Sequence, residues 1–300
     1  MNSKMRKTAQ RGFTLVEAIV VIVIIGILSA AVAVFIRAPV RGYVDAVGRA
    51  ELTDTADLAL RRIARDLRRA LPNSIRVSND GHSIEFLLTR AGGRYLAAED
   101  GVADGSSTFA LDFVNAASTQ FSVVGAMPSL SSRVQAGNYI VVYNLGPGFP
   151  ITDAYQFNVA GVGKNIALVS GVTLASGTVQ SIALASNPFA AQSTPMPSPN
   201  QRFQVVKGPV TYTCGSVNGV LTLTRLADYD IRSTMSDSVG NGSSAVVADR
   251  LDHCNGLFNY SDLNSTHRSG LVIMSLGLLA RNTSDPAVTL VHQVHVDNTP

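Results

Sequence analysis

One stretch near the N-terminus limits what this chain can fold into more than any other. Ala18 to Ile36 is uncharged throughout, with only Gly26 and Ser29 as mild interruptions. As a helix these 19 residues span roughly 28 Å at ~1.5 Å per residue, against a bilayer core of about 30 Å. Counted from Phe13, with Glu17 as the one charge, the run is long enough to cross a membrane with some tilt. Met1 to Gly12 before it is short, polar and basic, carrying Lys4, Arg6, Lys7 and Arg11 and no acid. That flank belongs on the cytoplasmic side and the bulk of the chain on the other.

The same leader accounts for the charge. The 300-residue chain has 24 Lys and Arg against 21 Asp and Glu, a formal +3. Without the four leader cations the balance is 24 − 4 = 20 against 21, or −1. A nucleic-acid binder would carry its basic residues in the folded body, so that class is set aside. With 46% hydrophobic and 15% charged residues the chain is not disordered. It contains no Trp, which excludes a ligand site built on an indole.

An ordinary signal peptide is the simplest alternative, with Ala31-Val32-Ala33 as an A-x-A cleavage site. The apolar run is longer than the usual ~7–15 residues. It also holds Glu17, and a charge at such a position is costly and usually functional. Gly12-Phe13-Thr14-Leu15-Val16-Glu17 resembles the G-F-T-L-x-E signature of type IV prepilins and type II secretion pseudopilins. The basic leader and the apolar run behind it match as well. The resemblance implies cleavage after Gly12 by a prepilin peptidase, which then methylates the new amine on Phe13. It implies a single-pass inner-membrane anchor with a cytoplasmic N-terminus and a periplasmic head, later drawn into a filament. The implied partners are the peptidase/methylase, other pilin subunits, the inner-membrane assembly platform, and membrane lipid before assembly.

The chemistry fits these residues. Gly12 gives a peptidase backbone access without a side chain. Glu17 lies about one helical turn inside the apolar segment, where an unpaired carboxylate is unfavourable. Its natural partner is the Phe13 ammonium of a neighbouring subunit, which makes Glu17 a docking residue. At ~4 Å and an effective dielectric of 20 that attraction is about 4 kcal/mol before desolvation.

Residues 37 to 72 predict a continuation of the helix. Leu52, Ala56, Ala59, Ile63, Leu67 and Ala70 recur at helical spacing on one face, widened by Leu60 and Leu71. The other face is charged, with Asp57–Arg61 and Arg62–Asp66 as i,i+4 pairs. Arg61, Arg62, Arg65, Arg68 and Arg69 cluster near the helix end, where cations suit the dipole. A solvated helix end explains them most simply; lipid headgroups or acidic neighbouring subunits are the alternatives. Gly26 and Pro39 are weak points expected to kink or loosen the helix, and Pro72 is its expected stop.

From residue 73 the pattern changes to short strands between Gly, Ser and Asn turns. Those expected are 83–88, 109–114, 119–124, 139–143, 167–172, 179–184, 203–214, 220–226, 271–279 and 289–296. Leu271 to Ala280, ten uncharged residues, reads as a buried central strand. The fold class is therefore α+β: a long N-terminal helix, anchor plus amphipathic half, packed on a β-rich head. The proline-rich stretch 187–201 either divides the head into lobes near 73–186 and 202–300 or is a long insertion in one sheet. Ser233 to Ser244 reads as a polar loop.

Cys214 and Cys254 are the only cysteines. In an exported head they favour a disulfide; a metal site with His253 is the rival reading and lacks paired-ligand spacing. His292 and His295, three apart on a strand, should face opposite sides. Asp228 with Asp230, read as alternate residues on one strand face, and Asp249 with Asp252 are weak calcium candidates without a full oxygen array. No metal site or cofactor is assigned. No nucleophile elbow, P-loop or zincin motif occurs, so an enzyme is not expected. Further along, Leu58 to Leu71 and Ile84-Glu85-Phe86-Leu87 resemble the larger minor pilins and the J-type pseudopilins. The closing Val294 to Pro300 resembles minor subunits of mannose-sensitive haemagglutinin (MSHA) pili.

Overall fold

The computed structural model describes residues 12–100, 108–125, 127, 134–160, 164–236, 240–262, 269–280 and 287–300. The leader up to residue 11 and the Gly161–Gly163 segment lie outside that set. The chain divides into two units, Met1–Glu51 and Leu52–Pro300.

One helix, α1, runs from Leu15 to Leu67. Gly26 and Pro39 lie inside it, and the backbone stays helical through both. In the first unit its large apolar side chains are exposed, among them Ile22, Phe35 and Val44. In the second unit the predicted stripe is the buried one: Leu52, Ala56, Ala59, Leu60, Ile63 and Leu67 all enter the main core. Fully burying a side chain such as Ile63 is worth about 1.5–3 kcal/mol.

The helix stops before the expected Pro72. After Arg68 the bonds tighten from i−4 to i−3, with Arg69 N–H donating to Asp66 and Ala70 N–H to Leu67. The chain then leaves the helix to pair with the sheet: Ala70 bridges Leu88, and Leu71 N–H donates to the Leu87 carbonyl. A strand edge next to the helix end supplies partners that a further helical turn would have had to forgo.

The head strands are β1 (Arg76–Val77), β2 (Ser83–Tyr95), β3 (Gln120–Val124), β4 (Tyr139–Val141), β5 (Ile166–Ala175), β6 (Thr178–Leu184), β7 (Arg202–Val217), β8 (Val220–Ala227), β9 (Ser243–Asp249), β10 (Phe258–Asp262), β11 (Ser269–Leu278) and β12 (Val288–Asp297). Nine of them form one sheet in the order β1-β2-β3-β6-β5-β4-β7-β8-β9, and β2 also pairs with β7. The run β2-β3-β6-β5-β4-β7 thereby closes on itself. Two register shifts in β2, between Leu87 and Thr89 and between Thr89 and Ala91, give the strand the bend that closure needs. Phe121, Ile140, Ile182, Phe203 and Val205 form part of a second core associated with these strands. β10, β11 and β12 make a separate antiparallel sheet. Its buried residues Val272, Met274, Leu276 and Val294 complete the main core with Phe86, Tyr212 and the helix stripe.

β11 is the central strand of its sheet, as expected, although it buries chiefly one face, Gly270, Val272, Met274 and Leu276. The nine-stranded sheet takes strands from both sides of the 187–201 stretch, which therefore connects strands of one sheet. Residues 109–114 are not a strand. Only Leu111 bridges, to Ala97, and Asp112 Oδ1 accepts from Val114 N–H and Asn115 N–H, turning the chain away. β9 and β10 were not expected: both are short, and they are strands because β8 and β11 supply the ladder.

Candidate functional site

The site is the start of α1. Thr14 is its N-cap: the Thr14 hydroxyl accepts from Glu17 N–H at 3.3 Å, and its carbonyl accepts from Ala18 N–H at 3.2 Å. Glu17 is thus the third helical residue, the capping-box spacing, where a carboxylate also suits the positive end of the helix dipole. Phe13 lies just outside the cap and is 78% exposed. At Gly12 an added Cβ would meet nothing within 4 Å. The Gly12–Phe13 junction is therefore open non-helical backbone immediately before a capped helix, the form in which a peptidase can engage a chain. Thr14 had not been singled out from the sequence; the T-x-x-E spacing was the signal that marks it.

No basic side chain among the described residues pairs with the Glu17 carboxylate. It stands on an exposed apolar surface with Leu15, Val16, Ile19 and Val20. A large uncovered apolar surface marks contact with lipid or protein. Behind it come Arg37 and Arg41, the first cations after the apolar run.

The head sites are structural. Cys214 on β7 and Cys254, between β9 and β10, form a disulfide with Cα atoms 5.4 Å apart, which removes the thiolate from the rival metal reading. It ties the large sheet to the segment that leads into the small one. His253 instead contacts Asp252, Nδ1 to Oδ1 at 2.7 Å. His292 and His295 are on opposite faces of β12, since Val294 and Val296 are buried while His295 is exposed. Asp228 is not on a strand face with Asp230: β8 ends at Ala227, and Asp228 takes a left-handed φ of 61°. Asp228 is held by Lys207 at 2.7 Å and Arg90 at 3.6 Å, and Asp230 accepts from Asn241 at 2.8 Å. Among the described residues no group of three His, Cys, Asp or Glu is placed to hold a metal ion.

Sequence reading also missed a buried charge. Glu85 on β2 is 1% exposed. It accepts from Arg76 Nε at 2.7 Å and from the Tyr229 hydroxyl at 2.6 Å. The Arg76 guanidinium stacks 3.7 Å over the Tyr155 ring. Burial raises the Tyr229 pKa above its ordinary value, and the Glu85 carboxylate adds to the rise. A second missed group is Asp66, which the helix turns inward to Arg225 at 2.9 Å and Tyr212 at 2.8 Å. The expected Arg62–Asp66 pair does not form, because Asp66 meets these better-buried partners. The Asp57–Arg61 pair does form, at 2.6 Å.

Residues 7–33 match the family model for the prokaryotic N-terminal methylation motif. The match covers 27 of 300 residues and includes Gly12, Phe13 and Glu17. It supports a type IV pilin-like family, processing by prepilin peptidase, and assembly with other pilins. α1 is the one described helix long and apolar enough to cross a membrane, consistent with the single-pass anchor of a pilin. No curated protein and no solved structure matches the chain.

Proposed function

We propose that this chain is a minor pilin-like subunit that primes assembly or sits at the tip of an MSHA-type type IV pilus, with a structural rather than catalytic role. The closing segment, Val294 to Pro300, resembles the end of the MSHA biogenesis protein MshO. The observation that carries the reading is the exposed Gly12–Phe13 junction followed at once by a capped apolar helix with Glu17 at its third position. Cleavage there leaves the whole anchor on the protein and places a new ammonium beside the cap. That ammonium can dock on the Glu17 carboxylate of a neighbouring subunit, with the apolar surfaces of the two helices packed together.

The head supports the minor role. From residue 73 it holds 300 − 72 = 228 residues, bulky for a subunit repeated densely along a filament and easier to place at an end. The closing segment that resembles MSHA subunits is tied into the head: the Asn73 side chain donates to the Asn298 carbonyl at 3.0 Å, and Asn298 donates to the Tyr260 hydroxyl at 2.9 Å. A J-type pseudopilin of a type II secretion system is the second reading. It is favoured by Leu58 to Leu71 and Ile84 to Leu87, which pack the helix on β2. The test is mass spectrometry of the N-terminal peptide from sheared surface filaments. A peptide beginning at monomethylated Phe13 is the expected result. A processed protein confined to membranes would favour the pseudopilin or a membrane-anchored adhesin. A peptide beginning at Val34 would overturn both pilin-like readings.

A further inference from the structure

Most of the arginines at the end of α1 are not spent on the head. Arg61 pairs with Asp57, and Arg69 donates to the Thr89 carbonyl at 3.1 Å. Arg62, Arg65 and Arg68 are exposed, and among the described residues no acceptor bonds their guanidiniums. The carboxylate nearest in sequence, Asp66, is taken by Arg225 and Tyr212. At about 100° per residue, positions 58 and 65 lie roughly 120–160° round the helix from Leu52 and Ile63, and Arg62 lies about 90° round on the flank between. Leu58 is 68% exposed. The result is a narrow stripe about 15 Å long at ~1.5 Å per residue, an exposed leucine followed by three solvated guanidiniums that repel one another.

Chain order argues against a lipid surface as its partner. Arg37 and Arg41 border the apolar run, and Asp45, Glu51, Asp54 and Asp57 come between them and the stripe. An anionic membrane would meet carboxylates before it met Arg62. A protein rod with carboxylates at matching spacing fits instead, and α1 shows what one looks like. Glu51, Asp54 and Asp57 recur every three residues, as Arg62, Arg65 and Arg68 do. The two sets are eleven residues apart, about three helical turns or ~16 Å. In register, two such helices oppose like charges; displaced by that length, they oppose unlike ones.

We propose that Leu58, Arg62, Arg65 and Arg68 form a docking stripe for the carboxylate-bearing helix of a neighbouring pilin-like subunit, lying parallel to α1 and displaced along it by about three turns. This rests on the reading of the chain as a filament subunit. The Phe13–Glu17 contact implies a four-residue offset, about 6 Å, so the neighbour that the stripe engages is a different one from the neighbour held at the membrane end.

The test places a photoreactive benzoylphenylalanine at Leu58 in the full-length protein in cells, with the cross-linked peptide identified by mass spectrometry. The expected product joins position 58 to a helical peptide of another subunit that carries carboxylates at three- or four-residue spacing. Its yield should fall about tenfold when Arg62→Glu and Arg65→Glu are combined, and stay within about threefold for the Lys pair, since rim charges of this kind act mainly through their sign. Cross-links only to phospholipid, links to a peptide without acids, no cross-link, or a yield indifferent to charge reversal would each overturn the stripe. The N-terminal peptide of the same sample is read separately. An unprocessed wild-type chain defeats the filament reading, whereas a methylated chain with no acidic-helix cross-link defeats only the stripe.

Discussion

Arg225 Nε donates to Asp66 Oδ2 across 2.9 Å, and the two side chains are only 18% and 15% exposed. The Tyr212 hydroxyl donates to the same oxygen at 2.8 Å. One carboxylate thus fastens the last turn of α1 to β7 and β8. Asp66→Ala should lower stability by about 2 kcal/mol, because it strips charged hydrogen bonds from two partly buried donors. Replacing Asp66 and Arg225 together with Leu and Met should recover much of that loss. Chemical denaturation of the single and double variants measures both effects.

Glu85 is more deeply buried than Asp66 and holds Arg76, Tyr229 and, through a shared contact, Thr211. Glu85→Ala leaves the Arg76 guanidinium without its counter-charge, held only by the Arg232 and Ser233 carbonyls and the Tyr155 ring. Breaking such a pair typically costs ~3–5 kcal/mol. Thermal melting should place this variant well below Asp66→Ala.

The Cys214–Cys254 bridge encloses a 40-residue separation. In the chain-entropy account a loop of that size is worth about 4 kcal/mol. A Cys214→Ala, Cys254→Ala variant should fold with a lower melting temperature, and added reductant should move the wild type toward the same value.

Alkaline pH should destabilise the head. Burial raises the pKa of Tyr95 to about 12 and also raises those of Tyr155, Tyr212 and Tyr229. Each folded pKa lies above the unfolded value of about 10. The stabilisation is therefore complete below pH ~10 and is lost as pH rises through the folded pKa values. Phenolate absorbance and denaturation followed from pH 8 to 12 should show these tyrosines ionising late, with stability level up to about pH 10 and falling above it.

Thr14 and Glu17 separate helix initiation from docking. Glu17→Ala should still be cleaved after Gly12 yet enter filaments poorly; normal incorporation would remove the docking account. Thr14→Val removes the cap, worth about 1 kcal/mol, while sparing the Glu17 carboxylate, so its loss of incorporation should be the smaller. Quantitative mass spectrometry of membrane and filament fractions compares the two.

Periodicity and punctuation were enough to read the apolar run of bilayer length, the buried helix stripe through Leu52, Ile63 and Leu67, and most of the strands; Gly12, Phe13 and Glu17 stood out through their resemblance to a family signature. These are local properties: spacing along the chain fixes which face is apolar, and an uncharged run of bilayer length needs no partner to be recognised. What the local pattern left open was decided by residues far apart in sequence. Asp66 turned to Arg225 and Tyr212 rather than to Arg62, four residues away, because the sheet offers it drier and better-placed donors. The helix gave up its last turn after Leu67 because Leu87 and Leu88 offered Leu71 and Ala70 strand partners. β9 and β10 became strands through neighbours that supply their ladders, and residues 109–114 did not, because Asp112 captures the following amides. The closure of six strands through the pairing of β2 with β7 is likewise invisible to periodicity. Alternation shows which side of a strand is buried, but only the packed core determines which strand lies beside it.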